Sequence, residues 1–195
     1  MKLSDRIVNF LVQKNAIDAE DSEIYEYGFE VLKENVEITL CILLSGILLR
    51  RGWETVVYLI VYCGLRAVSG GYHAETKRKC HIVTAINFFA FLVIETVIAA
   101  WEYQVWALVG GYLFCIIIML CYAPVEHENK PLAEDDRKRN RYSAITVTAL
   151  LGAGILITYQ NLPEVSCGIL VTLVEVALLM IIGRRTKNES ILYGS

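Results

Sequence analysis

Charge is sparse in this chain, and what there is nearly cancels. Lysine and arginine total 18 against 21 acidic residues, a net charge of −3, so bulk charge recommends no nucleic-acid partner. There are three prolines, and no linker, internal repeat or low-complexity tract, so residues 1–195 read as a single domain. Histidine is limited to His73, His81 and His127, which confines any acid–base or metal chemistry built on imidazole to three places. A removable signal peptide is not expected, because Asp5, Arg6 and Lys14 interrupt the first apolar stretch.

What is abundant is apolar surface, at 55% of residues, above the usual range for a soluble domain. It is gathered into six runs at 36–49, 53–65, 82–101, 105–123, 143–159 and 165–183. A spanning helix needs about 20 apolar residues. The last four runs meet that length. The first two are short, separated only by Arg50, Arg51 and Gly52, and either recruit flanking residues to cross or pack as a tight pair. The expected fold is all-α, a polytopic membrane helical bundle. Ahead of it, Leu3, Ile7, Phe10 and Leu11 recur at helical spacing and predict an amphipathic helix capped by Ser4 or Asp5. It either lies on the inner leaflet or packs on the bundle.

The basic residues orient the bundle. Lys2, Arg6, Lys14 and Lys33 precede the first run, and Arg66, Lys77, Arg78 and Lys79 follow the second. Lys130, Arg137, Lys138, Arg139 and Arg141 follow the fourth, and Arg184, Arg185 and Lys187 follow the sixth. Segments 102–104 and 160–164 contain none. The positive-inside rule then puts both termini and both basic loops in the cytoplasm of a multi-pass protein. Arg50 and Arg51 dissent. Two carboxylates, Glu95 and Glu175, lie deep in apolar runs. They suggest an ion or proton path, or else hydrogen-bonded groups that hold helices together, the reading preferred where no intramembrane cation pairs with them.

Five of the six cysteines sit in apolar runs, where a thiol acts as a small hydrophobe. Cys80 alone lies among polar residues, in Lys77-Arg78-Lys79-Cys80-His81, on the reducing side of the membrane, so no disulfide framework is expected. Adjacent cations and a helix starting near Cys80 both favour a thiolate there. A nucleophile needs a base. His81 is the next residue, and on a helix its side chain diverges from Cys80. His73 is seven residues earlier, about 10 Å away on a straight helix, so that pairing requires a bend. Ser69-Gly70-Gly71-Tyr72 supplies one. A zinc site from His73, Cys80 and His81 lacks a fourth ligand. Spacing alone leaves a catalytic pair and an incidental polar-loop thiol both open.

The run from Arg66 through Gly70-Gly71, His73-Ala74 and on to Cys80 resembles the accessory gene regulator B (AgrB) family, membrane proteases that mature quorum-sensing peptides in Gram-positive bacteria. The stretch Tyr122-Ala123-Pro124 through Lys130-Pro131-Leu132 resembles that family's proline-bearing loop, and the hydropathy plan matches over nearly the whole chain. The resemblance implies a bacterial cell-membrane cysteine endopeptidase with His73 as base and Cys80 as nucleophile. It would cleave an AgrD-like propeptide through a thioester and assist closure of a thiolactone or lactone. It also implies motif roles for Arg66, Gly70 and Gly71, and places Thr84 at a hydroxyl position one turn beyond the cysteine. Lys130, Arg137, Lys138 and Arg139 are candidate contacts for the precursor, whose acidic tail the basic clusters would attract. Glu75 and backbone amides near Cys80 are the candidates for a third residue or an oxyanion hole. No metal or cofactor is called for; membrane lipid is the second partner, and a homodimer stays open. Against this stand a small transporter or exporter, suggested by the buried carboxylates, and a non-catalytic membrane scaffold.

Overall fold

The computed structural model describes residues 3–72, 76–125 and 133–193, the side chains of Leu3, Lys77 and residues 187–193 excepted. Among the described residues seven α-helices follow one another: α1 Leu3–Gln13, α2 Ser22–Leu48, α3 Gly52–Ser69, α4 Lys77–Ala99, α5 Gln104–Tyr122, α6 Glu134–Thr158 and α7 Pro163–Tyr193. Among the described residues the extended backbone amounts to one isolated bridge, between Gly70 and Val125. The chain divides into two compact units, 1–45 and 46–195.

In the first unit the amphipathic helix forms where the periodicity puts it. Ser4 and Asp5 lie inside its first turn rather than ahead of it, so neither is its N-cap. The Ser4 hydroxyl instead donates to Asp5 Oδ1 at 3.2 Å. Val8 is buried, whereas Phe10 is exposed and receives Lys14 over its ring.

In the second unit, α4, α5, α6 and α7 are the four helices long and apolar enough to cross a membrane, matching the four long runs of the sequence. They are unequal in burial. Of the span window of α7, 72% is buried, against 22% in each of the other three, because α7 is packed by α3, α4, α5 and α6. A helix apolar all round belongs in such a place. The outer helices show the opposite pattern: Ile82, Ile86, Phe89, Val93 and Val97 on α4, and Val109, Leu113 and Ile117 on α5, are exposed. Apolar faces of this extent are suited to lipid rather than water.

The short second run is longer than it looks. Helix α3 has 18 residues, about 27 Å at 1.5 Å per residue, because it recruits Arg66 to Ser69. Its start lies by the end of α4, where Arg51 meets Glu95 and Thr96. Its end lies by the beginning of α4, where Arg66 and Cys80 line one cleft. Helix α3 therefore traverses the same layer as α4, antiparallel to it. It is joined to α2 through a turn in which Arg50 has φ +58°, and a Cβ at Gly46 would lie 2.0 Å from Thr55 Oγ1.

This end of the unit removes the anomaly of Arg51. Its guanidinium pairs with Glu54 at 2.7 Å and with the fully buried Glu95, and donates to Thr96 Oγ1 at 2.9 Å. The expectation that Glu95 has no cationic partner is corrected: Arg51 supplies it from 44 positions away. An arginine consumed by two carboxylates carries little weight in the positive-inside count. Arg50 is exposed. Trp53, Trp101, Tyr103 and Trp106 are exposed at this same end, as an aromatic belt at a membrane interface would be.

Removing one partner of a buried ion pair leaves the other charge uncompensated. Arg51→Ala should lower the unfolding free energy in detergent by about 3–5 kcal/mol. Arg51→Leu combined with Glu95→Leu should recover most of that loss. Equal losses in single and double variants, followed by chemical unfolding, would mean that the pairing is not what Arg51 contributes.

Candidate functional site

The opposite end of the unit gathers the residues singled out in the sequence. Helix α3 stops at Ser69 because the next two positions leave right-handed space: Gly70 has φ +69° and Gly71 φ +134°, conformations that glycine adopts without strain. The segment that follows is held on three sides. Val125 N–H donates to Ser69 O at 2.9 Å, and Tyr72 N–H donates to Leu179 O on α7, also at 2.9 Å. Arg66 Nη2 donates to Tyr72 O at 2.9 Å. A Cβ at Gly70 would lie 2.1 Å from Val125 O, and one at Gly183 would lie 2.7 Å from Tyr72 N. Gly183 sits one helical turn beyond Leu179, on the face where the strap crosses α7. Both contacts need the missing side chains.

Helix α4 begins at Lys77, three residues before the expected start. Thr76 is its N-cap: the side chain accepts from Lys79 N–H at 3.3 Å. Cys80 thus sits at the end of the first turn, half-buried, and its own N–H donates to Thr76 O at 3.0 Å. The amides of Lys79 and Cys80 are both occupied, which removes them as candidates for an oxyanion hole. The Thr84 hydroxyl donates to Cys80 O at 2.9 Å.

Between the strap and the two helices lies a small cleft lined by Tyr62, Arg66, Tyr72, Cys80, Val83 and Thr84. Arg66 stands with its guanidinium carbon 5.6 Å from the Tyr62 ring centre, and Tyr62 stacks on the buried Tyr58 at 5.1 Å. The Tyr58 hydroxyl and both Glu175 oxygens are buried, with no hydrogen-bond partner among the described residues. Arg66, Gly70, Gly71 and Cys80 are therefore brought together. His73, Glu75, Lys130 and Pro131 lie outside the described residues. Arg137, Lys138 and Arg139 stand on the first turns of α6, where Lys138 pairs with Glu134 at 3.0 Å and Arg139 with Asp136 at 2.8 Å. All six cysteines are free thiols, and the described residues hold no group of three metal-ligating side chains.

Sequence reasoning missed Tyr62, Tyr72, Val125 and Gly183. Tyr62 and Arg66 are four apart on α3 and so share a face, a signal that was there to be read. Val125 and Gly183 come from distant segments and left no local trace.

The family model for accessory gene regulator B matches residues 4–182. The chain belongs to the AgrB family. An AgrB-like protein of Clostridium perfringens strain SM101 is 25% identical over 153 residues, covering 74% of this chain and 72% of the relative. Another, from Listeria monocytogenes serotype 4a strain HCC23, is 29% identical over 169 residues, covering 82% and 79%. A third, from Listeria innocua, is 28% identical over the same length. No solved structure matches. Membership gives this AgrB chain the quorum-sensing accessory gene regulator role at the level of the family, and with its four spanning helices makes it a membrane protein.

The strap is the part of this AgrB site that a conservative change can test. Gly183→Ala should displace Tyr72 from Leu179 O and raise hydrogen exchange across residues 70–72 about five- to tenfold, the equivalent of roughly 1 kcal/mol. Unchanged exchange in a folded, membrane-inserted variant would mean that the strap does not need that close approach.

Proposed function

We propose that this AgrB protein is a membrane-embedded cysteine endopeptidase acting on an AgrD-like propeptide, with Cys80 as nucleophile and His73 as base. The observation that carries this reading is the cleft that holds Cys80. It places a half-buried thiol at the start of α4 against Tyr72 and Arg66, and Tyr72 directly precedes His73 in the chain. A strap anchored on α3, α7 and Val125 gives the histidine a fixed point of departure. The two glycines expected to turn the chain just ahead of His73 have positive φ, which supports a turn there and not a continuous helix.

The chemistry follows from the thiolate. With the thiol proton on His73, Cys80 Sγ bonds to a peptide carbonyl carbon of the precursor. The tetrahedral intermediate collapses, the C–N bond breaks, and His73 delivers its proton to the departing amine. A thioester on Cys80 remains. An internal cysteine of the precursor then gives its proton to His73 and attacks, closing a thiolactone and returning Cys80 to the thiolate; a serine would close a lactone. Sulfur-to-sulfur transfer nearly conserves the activation of the acyl group, and a cleft of this size leaves little room for competing water.

The basic ends favour a cytoplasmic position for this cleft. Arg184 lies over the Tyr122 ring at 4.6 Å and donates to Cys121 O at 3.4 Å, while Arg141 donates to Leu120 O at 3.1 Å. Both neutralise the carbonyl end of α5 at the end that carries Cys80. On this reading both termini are cytoplasmic. The acidic tail of the precursor meets a weaker cationic patch than the sequence promised, because Lys138 and Arg139 are paired on their own helix.

Cys80→Ala and His73→Ala should each abolish cleavage of the cognate precursor in proteoliposomes while leaving the protein inserted. Cys80→Ser should be nearly inactive as well, since a hydroxyl is far less acidic than a thiol. The double variant should be no worse than either single, because nucleophile and base act as one unit. Cys63→Ala, Cys121→Ala and His81→Ala should keep substantial activity. Cleavage by Cys80→Ala would overturn the mechanism, and loss in His81→Ala with retention in His73→Ala would exchange the base.

Orientation is tested separately. An impermeant thiol reagent should reach cysteines introduced at 102–104 and 160–164 from outside intact cells, and those at 126–141 only after the membrane is opened. Labelling of 126–141 from outside would reverse the topology.

A further inference from the structure

A cysteine nucleophile creates an oxyanion when it attacks, and stabilising that charge commonly falls to backbone amides beside the nucleophile. Here those amides are spent. Cys80 N–H donates to Thr76 O, and Lys79 N–H to Thr76 Oγ1. The Thr84 hydroxyl, one turn further along α4, donates to Cys80 O. One cationic side chain lines the cleft among the described residues, Arg66. Its Nη2 donates to Tyr72 O, and its guanidinium is steadied over the Tyr62 ring. A guanidinium presents five N–H donors in a rigid plane. One hydrogen bond to Tyr72 therefore leaves others to face the cleft.

From this we infer that Arg66 is a catalytic residue: its guanidinium binds the oxyanion of the tetrahedral intermediate formed on Cys80. The inference rests on the peptidase reading and supplies the part of that mechanism which the occupied amides cannot. Two features suit Arg66 to the task. A charge-assisted hydrogen bond is roughly twice as strong as a neutral one, and the charge acts in a cleft at the edge of an apolar layer, where screening is weak. The anchors on Tyr72 and Tyr62 hold the guanidinium before substrate arrives, so little reorganisation accompanies the reaction. The same group serves twice, because an oxyanion forms both when the peptide bond is attacked and when the thioester is attacked. The first oxyanion is discharged as the departing amine takes the His73 proton and the second as Cys80 leaves as thiolate, and Arg66 itself exchanges no proton.

Two reactions of Cys80 separate this role from others. Iodoacetamide alkylates the thiolate at a saturated carbon and creates no oxyanion, whereas precursor cleavage must create one. Arg66→Gln should lower kcat for cleavage by about 10²–10³-fold, the usual effect of deleting an oxyanion donor, with KM changed little. The rate of Cys80 alkylation and its pH profile should stay within about twofold of the wild type. A peptide aldehyde bearing the residues before the scissile bond, which forms a tetrahedral adduct, should bind Arg66→Gln more weakly by a similar factor. Arg66→Lys should recover part of the loss by restoring the charge without the planar fork. Cleavage by Arg66→Gln within about threefold of wild type would overturn the inference. A parallel fall in alkylation would overturn it too, by showing that Arg66 acts on the thiol, on the segment carrying His73 or on folding. Failure of the peptidase reading looks different: Cys80→Ala would cleave as well as the wild type does.

Discussion

Backbone that leaves a helix inside an apolar layer has to find partners within the protein, because lipid offers none. The segment from Ser69 to Tyr72 is governed by that constraint. Its groups are met by Val125 N–H and Leu179 O from distant stretches and by Arg66 from the end of α3. Meeting them fixes three further things. Helix α7 must be central enough to offer Leu179 O, Gly183 must have no side chain where the strap crosses, and Arg66 must reach forward to Tyr72. The last of these brings a cation into the cleft with Cys80. Substrate chemistry and backbone satisfaction draw on the same arginine.

The two ends of the second unit treat charge in opposite ways. At the α2–α3 turn, Arg51 is neutralised by Glu54 and the buried Glu95, an arrangement that ties α3 to α4 and holds the antiparallel pair in register. At the other end the cations remain at work: Arg141 and Arg184 on the carbonyl end of α5, Arg66 in the cleft. The Tyr58 and Glu175 groups lie between, buried and with no hydrogen-bond partner among the described residues, while the long flanks of α4 and α5 turn apolar side chains outward. The second unit thus buries a few polar groups within a mostly apolar core and also turns apolar side chains outward on its outer helices.

Much of this was legible in the sequence because it is periodic or local. The four long runs became α4 to α7, and the spacing of Ile7 and Phe10 became α1. The turn expected at Ser69-Gly70-Gly71-Tyr72 appears as two glycines with positive φ. What escaped depends on pairing across the fold. The sequence assigned Glu95 no cationic partner because none lies near it in the chain; Arg51 reaches it only because α3 runs antiparallel to α4. The start of α4 was placed near Cys80, whereas Thr76 caps a helix that begins at Lys77. The freedom of the amides at Cys80 was assumed from a helix beginning there, and the earlier start removes it. The pairing of Lys138 with Glu134 and of Arg139 with Asp136 was also left out when the basic residues of that loop were counted.

The central claim is that Cys80 carries an acyl group in the course of the reaction, and it can be observed directly. A precursor whose internal nucleophile is replaced by alanine can be cleaved but cannot close its ring, so the acyl-enzyme should persist long enough to isolate. Incubating it with the protein in proteoliposomes, quenching in acid and measuring the mass of the peptide containing Cys80 should give an increase equal to the amino-terminal fragment of the precursor. That adduct should be released by hydroxylamine and be missing in Cys80→Ala. Release of the carboxy-terminal fragment with no adduct on Cys80, or an adduct on another residue, would contradict the account.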